Sequence, residues 1–423
     1  MKSFFLTFTF SISLMSSFAQ ELSNDFKEIE SKVIEWRRYF HQNPELSNRE
    51  FNTAKKIAKH LKSLGIKTQE NVAKTGVVGI LEGSKPGKVV ALRADIDALP
   101  VIERNDLPFK STVKSTYLGK EVGVMHACGH DTHTAILMGV AEILSKHKDQ
   151  IKGTVKFIFQ PAEEGAPEGE EGGAELMVKE GVLKNPNVDA IFGLHIASGF
   201  DVGTISYKSG GIMAASQTFK INVKGKQSHG SRPWASIDPI MISAKIIDGL
   251  QTIISREVDL TNEGAVITVG KIDSGVRSNI IPESAEMIGT IRTLDYGMQE
   301  QINDRMKEMV PAIAKSYRAE ASIEIEKGYP ITFNDIDLTK QVLPTLQKVA
   351  GTKNVHEIKA ITGAEDFSFF QKEVPGFYFF LGGKTVGNTN PYPHHTPDFI
   401  IDESGMLLGV KTMTQLTFDF LNN

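Results

Sequence analysis

Cysteine is almost missing from this chain: one in 423 residues, Cys128. A single cysteine closes no disulfide within the chain, so no covalent framework supports the fold. A large charge of one sign is missing too. The 47 Lys and Arg against 51 Asp and Glu leave a formal net charge of −4, which argues against a general binder of nucleic acid or anionic membranes. No long acidic or basic run marks a tail, and no segment repeats or is of low complexity. Beyond the N-terminus no apolar run approaches the ~20 residues of a membrane span. A G-x-S-x-G nucleophile elbow and a G-x-x-x-x-G-K-[ST] phosphate loop are also absent.

What is present fits an ordinary soluble protein, 40% hydrophobic and 23% charged. At roughly 150 residues per domain, the length allows more than one domain. The N-terminal "MKSFFLTFTFSISLMSSFAQE" has a lysine, an apolar stretch and small residues before Gln20. That is the pattern of a secretory signal over residues 1–19, cleaved near Ala19; a membrane anchor is the alternative, and the stretch is short for one. Export, to the periplasm or the medium, is the expectation. Cys128 is then a buried filler, a reactive thiol, a metal ligand or half of an intermolecular bridge; metal ligation removes the liability of a free thiol in an oxidising compartment.

Residues 24–40 and 52–65 read as amphipathic helices, with "HQNPELSNRE" between them a turn running into a helix start. "TGVVGILEG" and "KVVALRADIDALP" read as strands bounded by Gly or Pro. "DTHTAILMGVAEILSKHK" reads as a helix capped by Asp131 or Thr132. "GTVKFIFQPAEE" is a strand ending in two carboxylates, and "VDAIFGLHI" a strand ending at His195. Alternating strands and helices imply an α/β domain whose functional residues sit at strand C-termini. From about residue 213 the order becomes β-α-β-β-α-β, the ferredoxin-like arrangement. The reading is an α/β domain in two parts, 20–212 and 329–423, interrupted by a ferredoxin-like α+β insertion over 213–328.

Four separated places supply metal ligands: Cys128 with His130, Glu163 with Glu164, His195, and His394 with His395. Each lies at or just after a strand or at a helix start, and strand ends of an α/β sheet converge on one edge. Zinc accepts thiolate, imidazole and carboxylate, while manganese and cobalt favour nitrogen and oxygen. A thiolate at a helix N-terminus meets the positive end of the dipole, which lowers its pKa. Of two adjacent carboxylates, one can bind metal while the other moves a proton. Taken singly, each place has a plainer reading. Cys128 can be a small core residue, His195 a satisfied core histidine, and the glutamates solvated loop charges beside Glu168, Glu170 and Glu171. His394 and His395 can be a surface turn. Their joint occurrence at strand edges favours a metal site. A thiol hydrolase with His130 or His195 as base leaves the carboxylate pair idle.

"LRADIDALP", "MHACGHDTHT", "QPAEEG", "GLHI" and "HHTPDF", in this order, resemble the amidohydrolase branch of the aminoacylase/carboxypeptidase family of di-metal peptidases. That branch includes N-acyl-amino-acid amidohydrolases, hippurate hydrolases and auxin-conjugate hydrolases. The resemblance covers nearly all of the chain after the leader. It implies a catalytic domain with a central mixed sheet flanked by helices, an inserted lid that often forms a dimer interface, and two divalent metal ions (Mn, Zn or Co). Carried over residue by residue, it implies Cys128, His130, Glu164, His195 and His395 as ligands and Glu163 as general base and acid. His229 of "GKQSHGSRP" would stabilise the developing oxyanion. Asn279 of "SNIIPE" and Arg292 of "GTIRT" would lie near the substrate's carboxylate. The stretch "HGSRPW" departs from the usual small residues after the lid histidine, so Arg232 and Trp234 would reshape the pocket. Asp95 stands where other branches place a metal histidine, and Asp97 either orients a ligand from behind or caps a turn.

The reaction implied is hydrolysis of an N-acyl-L-amino acid of acetyl, benzoyl or indoleacetyl type by metal-activated water, with hinges near residues 211–214 and 327–331. The alternatives are a dipeptidase or carboxypeptidase-like exopeptidase, and a non-catalytic binding protein in which Glu163 would be idle. The expected partners are a small-molecule substrate and a second copy of the chain, with no nucleic acid.

Overall fold

The computed structural model describes residues 3–422, with side chains from Gln20 onward. The leader expected over residues 1–19 therefore lies outside the residues described in full. Among the described residues no helix is long and apolar enough to cross a membrane. The chain forms two compact units. One spans the chain up to Ser209 together with Asn334–Ile358 and Phe369–Asn423; the other comprises Gly210–Phe333 and Lys359–Ser368.

The first unit is built on an eight-stranded mixed sheet. Its strands run in the order Lys67–Val72, Gly76–Glu82, Lys152–Gln160, Lys85–Asp95, Ala190–Asp201, Gly376–Lys384, Ile205–Tyr207, Val355–Glu357. The four central strands, Lys152–Gln160 to Gly376–Lys384, are mutually parallel, and the strands beside them pair antiparallel. Central parallel strands are covered on both faces and so read as unbroken apolar runs. Val89–Asp95 and Gly376–Gly383 are accordingly buried at every position. The helix His130–Lys146 is buried from His130 to Leu144, so it lies inside the unit. Its Ile136, Val140 and Leu144 share one core with Ile29 and Val33 of the helix Ser3–Gln42 and Val410 and Met413 of the helix Met406–Asn422.

Parallel pairing brings strand C-termini to one edge. Asp95 pairs with Gln160, and Arg93 with Gly193. Asp95, His195 and the Pro161–Glu164 turn after Gln160 therefore lie at one level of the sheet. The strand carrying His195 does not end there. It continues to Asp201, because the neighbouring strand Gly376–Lys384 goes on pairing with it past His195.

The second unit has a four-stranded antiparallel sheet in the order Ala265–Ser274, Ser284–Thr293, Ala215–Lys224, Glu320–Lys327. With the helices Pro239–Thr252 and Tyr296–Ser316 this is the ferredoxin-like fold. Burial alternates along Ala215–Lys224: Phe219, Ile221 and Val223 point to the core and Thr218, Asn222 and Lys224 to solvent. Asp238 and Asp295 cap the two helices by accepting backbone N–H bonds. The segment Lys359–Ser368 joins this unit through backbone bonds from Ile361 N to Ile212 O (3.0 Å) and from Ala214 N to Gly363 O (2.8 Å).

Candidate metal centre

Two backbone kinks aim the donors. Gly129 has φ +94°, and a Cβ there would meet Ile196 Cγ2 at 2.3 Å, so only glycine fits. The kink puts Cys128 just before the helix and His130 at its first position. Neither Asp131 nor Thr132 caps that helix: Gly129 is the capping residue and makes no side-chain cap. Asp131 is buried instead, with Oδ2 in an ion pair with Arg37 Nε (2.8 Å) and paired with His41 Nδ1 at 2.8 Å. The second kink is Ala162, at φ +52°. Its N–H donates to Glu50 Oε1 (2.9 Å), while Glu50 Oε2 shares a 2.5 Å hydrogen bond with the Thr75 hydroxyl.

The donors then converge. Cys128 Sγ lies 3.5 Å from His195 Nε2 and 3.3 Å from His395 Nε2. His395 Nε2 is 3.1 Å from Glu164 Oε1. His130 Nε2 lies 3.9 Å from Glu164 Oε1 and 3.8 Å from Glu163 Oε2. One donor atom each of Cys128, His130 and Glu164 falls within 4.8 Å of the other two.

Hydrogen bonds decide which imidazoles have a lone pair to offer. His130 Nδ1–H donates to the Asp97 carbonyl (2.9 Å) and faces Asp97 Oδ1 (3.2 Å). Its Nε2 is left bare, buried and without a hydrogen-bond partner. His195 Nδ1–H donates to the Ile196 carbonyl at 2.6 Å, so its Nε2 keeps a lone pair, which faces Cys128 Sγ. His133 and His394 are spent. His133 Nε2 accepts the Ile196 N–H (2.8 Å) while Nδ1–H donates to Asp95 (2.6 Å). His394 Nε2 accepts the Ser198 N–H (3.1 Å) while Nδ1–H donates to the Cys128 carbonyl (3.2 Å). Both lie within ligand range of their neighbours, but neither keeps a lone pair.

The electrostatics ask for a cation. Burial opposes charge on His130, yet Asp95 and Asp97 outweigh it and raise the imidazole to about 10. Asp95 is held well below the usual carboxylate range against its burial, by His130, His133 and Arg93. Burial, with Glu164 and Glu163 adding to it, pushes the Cys128 thiol well above its usual range. The lowering expected from the helix dipole is thus overruled by desolvation and two carboxylates. Carboxylates that stay ionised and hold a positive charge on a buried imidazole, and a thiol that ionises only when compensated, suit a divalent ion. The bare His130 Nε2 points the same way.

Comparison with known proteins decides the family. The model described as Peptidase family M20/M25/M40 matches residues 91–419. The chain belongs to this family. Over 405 residues it is 44% identical to thermostable carboxypeptidase 2 of Saccharolobus solfataricus, covering 95% of this chain and 99% of that one. It is 37% identical over 379 residues to an N-acetyl-L-cysteine deacetylase of Bacillus subtilis, covering 90% and 86%. Among solved structures it resembles a Bacillus subtilis dinuclear metal-binding peptidase of the M20 family, with a TM-score of 0.78, 35% identity and coverage of 94% and 99%. This M20/M25/M40 chain is therefore a metal-dependent hydrolase.

Within this M20/M25/M40 chain, the structure brings Cys128, His130, Glu163, Glu164, His195 and His395 together in the first unit. Asp97 stands behind them: besides facing His130, its Oδ2 accepts from the Glu164 N–H (3.0 Å) and the Ser47 hydroxyl (2.7 Å). The remaining expected residues lie in the second unit. His229, exposed, pairs with Ile280 in a two-stranded ribbon, and Gly230 N donates to Asn279 O at 2.8 Å, so His229 and Asn279 are neighbours. Arg292 lies on the central strand Ser284–Thr293, opposite Ser216 and Val266. The sequence reading missed the supports Ser47, Glu50 and Asp95–His133. The only signal for the first two was the turn "PELSNRE" ahead of a helix.

Proposed function

We propose that this protein hydrolyses N-acyl-L-amino acids of acetyl, benzoyl or indoleacetyl type. Two divalent ions of the Mn, Zn or Co kind would be held by Cys128, His130, Glu164, His195 and His395. The observation that carries the reading is a second carboxylate beside the donors, with Glu163 Oε2 3.8 Å from His130 Nε2. Metals held there would supply a water of pKa lowered towards 7 and polarisation of the scissile carbonyl. Glu163 accepts the proton of the attacking water and returns it to the leaving amine as the C–N bond breaks. Asp97 fixes the His130 tautomer and the Glu164 backbone, which orients both donors. His229 is the proposed oxyanion donor. Its Nδ1 accepts the Ser231 N–H at 3.0 Å, so Nε2 carries the proton. Asn279 and Arg292 are proposed for the substrate carboxylate.

The 44% identity to a thermostable carboxypeptidase favours a second reading, a dipeptidase or carboxypeptidase-like exopeptidase. Protein stripped with chelator and reloaded with Mn²⁺, Zn²⁺ or Co²⁺ should regain activity on N-acetyl-, N-benzoyl- and indoleacetyl-amino acids ahead of dipeptides. Faster dipeptide turnover selects the second reading, and activity untouched by chelation contradicts both. We further propose export through residues 1–19, checked by the N-terminus of mature protein: an intact Met1 refutes it. Pairing of two copies is proposed along the edge strand Ala265–Ser274, where Val266 and Ile272 are exposed. Sedimentation should show a dimer that Ile272→Lys weakens; a wild-type monomer refutes it.

A further inference from the structure

We propose that a cavity beside Glu164 receives the acyl arm of the substrate, and that Leu118 sets which acyl groups are accepted. The assignment rests on the N-acyl-amino-acid reading above and deepens it. The cavity, about 310 Å³, lies wholly within the first unit and is walled by Leu46, Leu99, Pro100, Leu118 and Pro167, with Glu164 also in its lining. A substrate whose scissile carbonyl sits at the Glu164 donor therefore has this apolar space next to its reacting carbon. The volume is at the small end for ligand sites, enough for one compact arm rather than a whole peptide.

Charge decides which arm enters. The cavity is lined by two carboxylates, Glu164 and Glu168, and one cation, Arg49. Arg49 is already engaged, with Nη2 2.6 Å from Glu170 Oε1. With Glu164 committed to the metals, Glu168 is the carboxylate left to face a ligand and no free cation offsets it, so the substrate's carboxylate is disfavoured there and the uncharged arm is admitted.

The backbone of Leu118 supplies an independent observation. Strands Lys114–Tyr117 and Lys120–Gly123 form a hairpin in which Tyr117 pairs with Lys120, so Leu118 and Gly119 are the whole turn. Both have positive φ, +49° and +74°. This is the pattern of a turn that favours Asn-Gly and disfavours leucine at the first position. Leu118 is also 70% exposed, so it contributes little to a core. A leucine that suits neither its turn nor solvent, at the lip of an apolar cavity, fits contact with an apolar ligand.

The test uses full-length, metal-loaded protein and the variants Leu118→Asn and Leu118→Asp. Asparagine suits the turn, so Leu118→Asn should melt at or above the wild-type temperature. The kcat/KM ratio for N-benzoyl over N-acetyl derivatives of one amino acid should nevertheless fall by about ten-fold, and further in Leu118→Asp. Ratios within about two-fold of wild type in both folded variants overturn the assignment. So does a change that follows the amino acid instead of the acyl group, or a cavity that seats a dipeptide ammonium, seen as selective loss of dipeptide turnover in Glu168→Gln. A wild-type protein that hydrolyses dipeptides and no acyl amino acid overturns the underlying reading and this assignment with it. Active wild type with an unmoved ratio overturns only the assignment.

Discussion

Asp97 touches the His130 imidazole, the Glu164 backbone and the Ser47 hydroxyl with one buried carboxylate. Its removal should loosen two donors at once. Asp97→Ala is expected to weaken metal binding by about 10- to 100-fold in competition with a chromogenic chelator; unchanged affinity would reduce Asp97 to a structural residue. Glu163→Gln should behave oppositely, keeping its metal while kcat falls by about 10²- to 10⁴-fold. Near wild-type turnover would overturn the proton-transfer role. At this scale residue type was informative, because thiol, imidazole and carboxylate at strand ends pointed to one edge. Type alone did not separate His394 from His395. The Ser198 amide that occupies His394 lies nearly 200 positions away in the chain, and only folding brings it there. Asp131 was misread as a cap for the same reason, since its partner Arg37 is on another helix.

Elements hold the site through two left-handed kinks. Gly129→Ala would place a Cβ against Ile196 Cγ2 in a backbone region alanine avoids. We expect a loss of about 1–3 kcal/mol, read by denaturant unfolding, together with reduced metal content. A variant as stable and as metal-loaded as wild type contradicts the kink's role. Glu50 supports the second kink. Burial, then Asp97, raises its carboxyl to about 8, against an ordinary value of 4.5. Because the folded value is the higher one, stability from protonated Glu50 is full below about pH 4.5 and is lost as pH rises towards 8. Glu50→Gln keeps an acceptor for the Ala162 N–H and cannot ionise. Its melting temperature should therefore gain on wild type steadily between about pH 5 and 8; parallel curves would contradict the raised pKa. A helix start was legible at "PELSNRE". That its glutamate reaches Ala162, 112 positions on, was not.

For the whole molecule, the alternation of apolar runs with helical patterns indicated an α/β domain interrupted by a β-α-β-β-α-β insertion, and the strands are arranged so. Periodicity does not encode sheet order. The pairing of Val355–Glu357 with Ile205–Tyr207 joins short segments about 150 residues apart. The place of Lys359–Ser368 rests on a few backbone bonds from Ile361 and Gly363 that leave no mark on composition. What joins these scales is the proposal that five donors from distant segments of the chain grip the same pair of ions. Anomalous diffraction at the metal edge, from crystals of protein loaded with Mn²⁺ or Zn²⁺, tests it directly. The account predicts two adjacent peaks bonded between them to Cys128 Sγ, His130 Nε2, Glu164, His195 Nε2 and His395 Nε2, with His133 and His394 unbonded. Peaks elsewhere, or a Cys128 sulfur that touches no metal, would contradict it.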